Sequence, residues 1–158
     1  MKSKLLNKSE IEAYLQKCVN LPISDAWMGY GTAIFLELGK LYKRKDNRTY
    51  TLKGNGRISI MIEWSWRLES NKSIITGSFD TKKKMGNELN KLIGKSIKEI
   101  SIFGRIPEIC VNINQNRWLC SYATEKGQPE WAILFKKKGY LEVKKGKIYY
   151  TISNKRPG

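Results

Sequence analysis

The chain of 158 residues carries 30 Lys and Arg against 14 Asp and Glu, a formal net charge of +16 at pH 7. With 41% hydrophobic and 28% charged residues it reads as a globular protein rather than a disordered basic tail, and its length suits a single domain over residues 1–158. It contains no histidine, which excludes Ser-His and Cys-His nucleophile activation, histidine general bases and histidine zinc sites.

The longest stretch without a charge, residues 26–36, covers 11 positions, where a membrane-spanning helix needs about 20. The opening MKSKLLNKSE has no apolar h-region, so no secretory signal and a cytoplasmic location are expected. Three cysteines without an export signal are then expected as reduced thiols.

A first helix is expected over residues 9–20. Ser9 and Glu12 match the S-x-x-E capping box, and Ile11, Leu15, Cys18 and Val19 recur at helical spacing on one stripe. Pro22 fits the stop, and Cys18 lies on the buried stripe. Residues 25–31 read as a loop carrying Trp27, Met28 and Tyr30 among glycines. Residues 32–42 read as a strand in which Glu37 shares an apolar face, so it needs an edge position or a basic partner. A basic connection follows, ending in the turn Gly54-Asn55-Gly56.

Residues 57–69 alternate strictly, with Ile58, Ile60, Ile62, Trp64, Trp66 and Leu68 on one face, and predict one long strand. A short strand at 73–79 precedes a second helix over 81–93, with Asp80 or Thr81 as N-cap and Gly94 past its end. Six further strands are expected at 96–103, 108–113, 117–124, 130–135, 140–143 and 147–152. The three-residue loop 114–116 sets Cys110 opposite Cys120. Sheet spacing is often unfavourable for a disulfide, so two reduced thiols are expected. The expected fold is α+β: a curved, mainly antiparallel sheet of about seven or eight strands with two helices on one face.

The charge is concentrated. Windows 40–57, 82–98 and 136–147 together account for the whole net charge, and lysine far outnumbers arginine. Lysine acts as a point charge on phosphate, whereas arginine's planar fork suits base reading, so sequence-specific DNA recognition is not expected. Three blocks point to a binding face, and the candidate polyanion contacts are Lys43, Arg44, Lys45, Arg48, Lys53, Lys82, Lys83, Lys84, Lys136, Lys137 and Lys138. Lys82, Lys83 and Lys84 fall in the first turn of the second helix, where they oppose the macrodipole but could flank a bound phosphate. Trp27, Tyr30, Tyr42 and Tyr149 are candidate stacking or contact residues.

Gly29-Tyr30-Gly31 and Gly54-Asn55-Gly56 do not extend to a phosphate-loop signature. Carboxylates and arginines at Glu37, Glu63, Arg67, Arg105, Glu108 and Glu130 are the remaining groups for catalysis, and none has a diagnostic spacing. The expected function is therefore non-enzymatic capture of a polyanion, a nucleic-acid backbone or a phosphate-bearing nucleotide, with no metal, cofactor or membrane span. The alternative is an inhibitor or immunity-type protein that blocks an acidic partner protein. A carboxylate-only hydrolase or transferase is the third reading.

Overall fold

The computed structural model describes residues 2–42, 54–126 and 131–153. In chain order its elements are β1 (Ser3–Leu5), α1 (Lys8–Gln16), β2 (Ile23–Met28), β3 (Ile34–Leu38), β4 (Ile58–Ile62), β5 (Trp66–Glu69), β6 (Ile74–Gly77), α2 (Lys82–Asn90), β7 (Ile97–Phe103), β8 (Glu108–Ile113), β9 (Arg117–Ser121), β10 (Trp131–Phe135), β11 (Gly139–Lys144) and β12 (Lys147–Ile152). The described strands form two antiparallel sheets, a seven-stranded one ordered β1-β12-β11-β10-β4-β3-β2 and a five-stranded one ordered β6-β5-β9-β8-β7. The α+β composition and antiparallel pairing match the sequence reading. The expectation of one curved sheet of seven or eight strands is corrected to two sheets.

The reason lies in residues 57–69. Ile58, Ile60 and Ile62 in β4 and Trp66 and Leu68 in β5 are all buried, as the alternation requires. The neighbours change partway along. β4 lies between β3 and β10, whereas β5 pairs with β9 and β6. Beyond the break, the Trp66 indole N–H donates to the Thr32 carbonyl at 2.7 Å and the Tyr122 N–H donates to the Ser65 carbonyl at 2.8 Å. Alternation reports which side of a strand is covered, not which strand lies beside it. Trp64, which the alternation places on the same apolar face as the buried Ile62 and Trp66, falls at the junction and is 38% exposed.

The segments entering β2 and β7 join the sheets at a second place. Asn20 N–H donates to the Ile97 carbonyl at 2.8 Å, Ile97 N–H to Leu21 at 3.0 Å, and Ile23 N–H to Lys95 at 2.7 Å. The sequence predicts a loop over residues 25–31, whereas residues 25–28 belong to β2. Its residues Ser24, Asp25 and Trp27 interrupt any apolar alternation that would announce a strand, and β3 pairing holds it instead.

α1 starts earlier than the sequence suggests, and its capping box is Asn7–Glu10 rather than Ser9–Glu12. Asn7 Oδ1 accepts from Glu10 N–H at 2.8 Å, and Glu10 Oε1 accepts from Asn7 N–H at 3.1 Å. Leu6 is still tied to the sheet by its N–H to the Ile148 carbonyl at 3.1 Å, so Asn7 is the first residue able to turn into a helix. Asn7→Ala should therefore lower unfolding free energy by about 1 kcal/mol, and Ser9→Ala by less than about 0.5 kcal/mol. Urea denaturation of the two variants separates the two capping assignments.

Residues beyond Gln16 continue as tight turns, and Cys18 is fully buried, with burial alone pushing its thiol up to about 12. Tyr14 of α1 stacks on Tyr150 of β12 with centroids 4.5 Å apart. α2 is capped by Thr81, whose hydroxyl accepts from Lys84 N–H at 3.2 Å, and Gly94 adopts φ +94° just past its end. Leu15 of α1, Met85 and Leu89 of α2 and residues of both sheets share one buried hydrophobic cluster.

Candidate functional site

The first basic window leaves the seven-stranded sheet after β3 and returns before β4. Lys43, Arg44, Lys45, Arg48 and Lys53 lie outside the described residues, but both ends of their connection are placed. Tyr42 and Asn55 exchange backbone hydrogen bonds of 2.7 and 2.9 Å across its base. That base is fixed by Glu37, which is fully buried. The Glu37 carboxylate accepts from Asn55 Nδ2 at 3.0 Å, from the Gly56 N–H at 3.4 Å and from the Ser59 hydroxyl at 2.6 Å. β3 lies between β2 and β4, so this is not an edge position, and among the described residues the carboxylate is met by hydroxyl, amide and backbone donors rather than by a cation. Gly56 is required here, because a Cβ would sit 2.5 Å from the Leu38 nitrogen and 2.6 Å from its carbonyl oxygen.

The third basic window reaches the same place from the other side of β4. Phe135 pairs with Ile58, and the turn after β10 begins with Lys136, whose N–H donates to the Arg57 carbonyl at 3.1 Å. Lys136 Nζ stands 3.0 Å from the Tyr42 ring centroid and Lys40 Nζ 5.6 Å from it. At the end of α1, Lys17 Nζ lies 5.8 Å from the Phe135 ring. Lys40 and Lys136 therefore meet at Tyr42, and Lys17, Arg57, Lys137 and Lys138 lie at the same end of the sheet. Cation–π contact holds the Lys40 and Lys136 ammonium groups near one ring despite their mutual repulsion.

The rest of the basic sequence goes elsewhere. β11 carries the chain from Gly139 to Lys144, about 17 Å at strand rise, so Lys144, Lys145 and Lys147 turn at the opposite end. Lys144 also pairs with Glu142 at 2.8 Å. α2 runs antiparallel to β2, since a Cβ on Gly86 would meet Met28 at 3.7 Å and Gly94 N–H donates to Ile23 at 2.8 Å. Ile23 aligns with Leu38 and Ile58 at the Tyr42 end, whereas Met28 aligns with Ile34 and Ile62 at the far end. Lys82, Lys83 and Lys84 thus start α2 at the far end, alongside an open groove of about 510 Å³.

That helix terminus already has partners. Asp80 lies 3.5 Å from Lys84 and accepts from the Thr76 hydroxyl at 2.8 Å. The Thr76 bond first, and then Lys84, hold the Asp80 carboxyl below its ordinary range.

The aromatic candidates separate as well. Trp27 stacks on Phe35 with centroids 4.0 Å apart, Tyr30 is fully exposed in the β2–β3 loop, and Tyr149 is half-buried opposite Glu142 on β11. Tyr42 alone of the four stands among the clustered cations. An exposed pair that the sequence did not disclose, Trp64 and Phe79, makes an edge contact at 5.2 Å.

The carboxylates considered for catalysis have structural surroundings. Buried Glu108 accepts from the Ser121 hydroxyl at 2.8 Å and the Ala123 N–H at 3.0 Å. Arg67 pairs with Glu69 at 2.8 Å, and Glu63 is separated from it by the break between β4 and β5. Glu130 lies outside the described residues. Among the described residues no group of three or more cysteines and carboxylates could hold a metal ion, and no helix is long and apolar enough to cross a membrane. No family model matches the chain, and searches of curated proteins and of solved structures return no significant match.

Proposed function

We propose that this protein captures a polyanion, the phosphate backbone of a nucleic acid or a phosphate-bearing nucleotide, at the end of the seven-stranded sheet centred on Tyr42. The observation carrying this reading is the meeting of two distant basic windows at one ring, with Lys136 and Lys40 both on Tyr42. Clustered cations repel one another, and an arriving phosphate relieves that repulsion while releasing the ligand's own counterions. The connection bounded by Tyr42 and Asn55 brings five more cations by sequence and one acid, Asp46. Lysine supplies most of this charge, which favours binding along a backbone over reading base edges.

The sequence also allowed an anion site at Lys82, Lys83 and Lys84. Its separation from Tyr42 and the carboxylate already beside Lys84 make it the weaker centre for this activity. The direct experiment is a fluorescence-anisotropy titration of the full chain with short labelled oligonucleotides of differing sequence, in low salt. Saturable binding at micromolar to sub-millimolar Kd, differing little between sequences, is expected. Absence of binding, together with recovery of a stoichiometric acidic protein in pull-downs, would replace this reading with the inhibitor one.

A further inference from the structure

The outer face of the five-stranded sheet carries a second arrangement, separate from the basic end. The loop after β8 pairs Cys110 with Cys120, and across that register the Cys120 thiol donates to Cys110 Sγ at 2.8 Å. Both are free thiols. Cross-strand Cα separations of about 4.5–5.5 Å fall inside the range that disulfides use. The two sulfurs already face each other, and they need to approach by only about 0.8 Å to reach bonding distance. Cys110 is half-buried, whereas Cys120 is 4% exposed, so a small reagent meets Cys110 first.

We infer that Cys110 and Cys120 form a reversible oxidation site, closing an intramolecular disulfide across β8 and β9 by exchange with a low-molecular-weight disulfide. The Cys110 thiolate attacks one sulfur of that disulfide, forming a mixed disulfide and releasing one small thiolate. Cys120 gives up its proton and attacks the Cys110 sulfur, expelling the second small thiolate. Two protein thiols are oxidised, one small disulfide is reduced, and the two thiol protons end on the two released thiols.

The hydrogen bond from Cys120 supports this order of events, because it holds the Cys110 thiol below its usual value, against burial and the neighbouring Glu69 and Glu99. The same contact first, then burial, raises the Cys120 thiol. Cys110 is thus the attacking group and Cys120 the resolving one. Cys18, fully buried with a raised thiol, is the internal reference that stays reduced.

The test treats the folded full-length chain with oxidised glutathione, follows free thiols and intact mass, and maps the linked peptides. Loss of two of the three thiols, a mass decrease of two hydrogens and a Cys110–Cys120 linked peptide are expected, and dithiothreitol should reverse them. In Cys120→Ser the reaction should stop at a glutathione adduct on Cys110, while Cys110→Ser should react at least about tenfold more slowly. A stable glutathione adduct on the unsubstituted chain, a disulfide between two chains, or three thiols that stay reduced would each overturn the assignment. The unsubstituted chain carries the decisive readout, so a variant that fails to fold does not remove the test.

Discussion

Glu37→Ala is expected to lower the free energy of unfolding by about 2–4 kcal/mol, one of the largest effects available to a single polar substitution in this chain. Removing the carboxylate leaves the buried Ser59 hydroxyl and Gly56 N–H, and the half-buried Asn55 side-chain amide, without their acceptor. Relief of burying a charge offsets part of that loss, which holds the figure below the sum of three orphaned donors. Glu37→Gln preserves the shape and one acceptor oxygen but turns an amide donor towards other donors, so about half of the loss is expected. Urea denaturation gives both values, and amide exchange at Asn55 and Gly56 should accelerate in Glu37→Gln. A change below about 0.5 kcal/mol for Glu37→Ala would show that Glu37 does not fix the base of the basic connection.

The second large effect compares two substitutions of equal charge. Replacing Lys40, Arg57 and Lys136 by glutamine should weaken oligonucleotide binding roughly 10²–10³-fold in low salt, if each contacts one phosphate. Replacing Lys82, Lys83 and Lys84 by glutamine removes the same three charges. Those lysines lie towards the opposite end of the sheet, beyond a Debye length of about 10 Å at 0.1 M salt, so a loss of under about threefold is expected. Circular dichroism of both variants checks that the fold is retained. Equal losses from the two sets would mean that bulk charge, and not its placement at Tyr42, drives association.

Local features were readable in the sequence where a short loop or a strong period fixed them. The three-residue loop at 114–116 dictates the Cys110–Cys120 register without help from the rest of the chain. The α2 cap at Thr81 and the turn at Gly94 follow from side-chain chemistry within a few residues. Features set by distant partners were not readable. Nothing local tells that β4 takes β10 as a neighbour while β5 takes β9, so a single alternating run concealed the boundary between two sheets.

The candidate site depends on the same long-range pairing. Lys136 reaches Tyr42 only because Phe135 aligns with Ile58. The third charge window looks continuous in sequence but is divided by β11, and the helix direction takes Lys82, Lys83 and Lys84 away from Tyr42. Glu37 was recognisable as a buried acid needing partners. That its partners are Ser59, Asn55 and Gly56 required the return of the chain after the basic connection.

The most direct test of the account is the salt dependence of polyanion binding by the unsubstituted chain. Six described cations at the Tyr42 end and five in the adjoining connection provide for at least about four phosphate contacts. A plot of log K against log salt for a single-stranded oligonucleotide should then be linear with a slope of about −3 or steeper. A slope shallower than about −1 would contradict the account, because a ligand held by clustered lysines must release counterions when it binds.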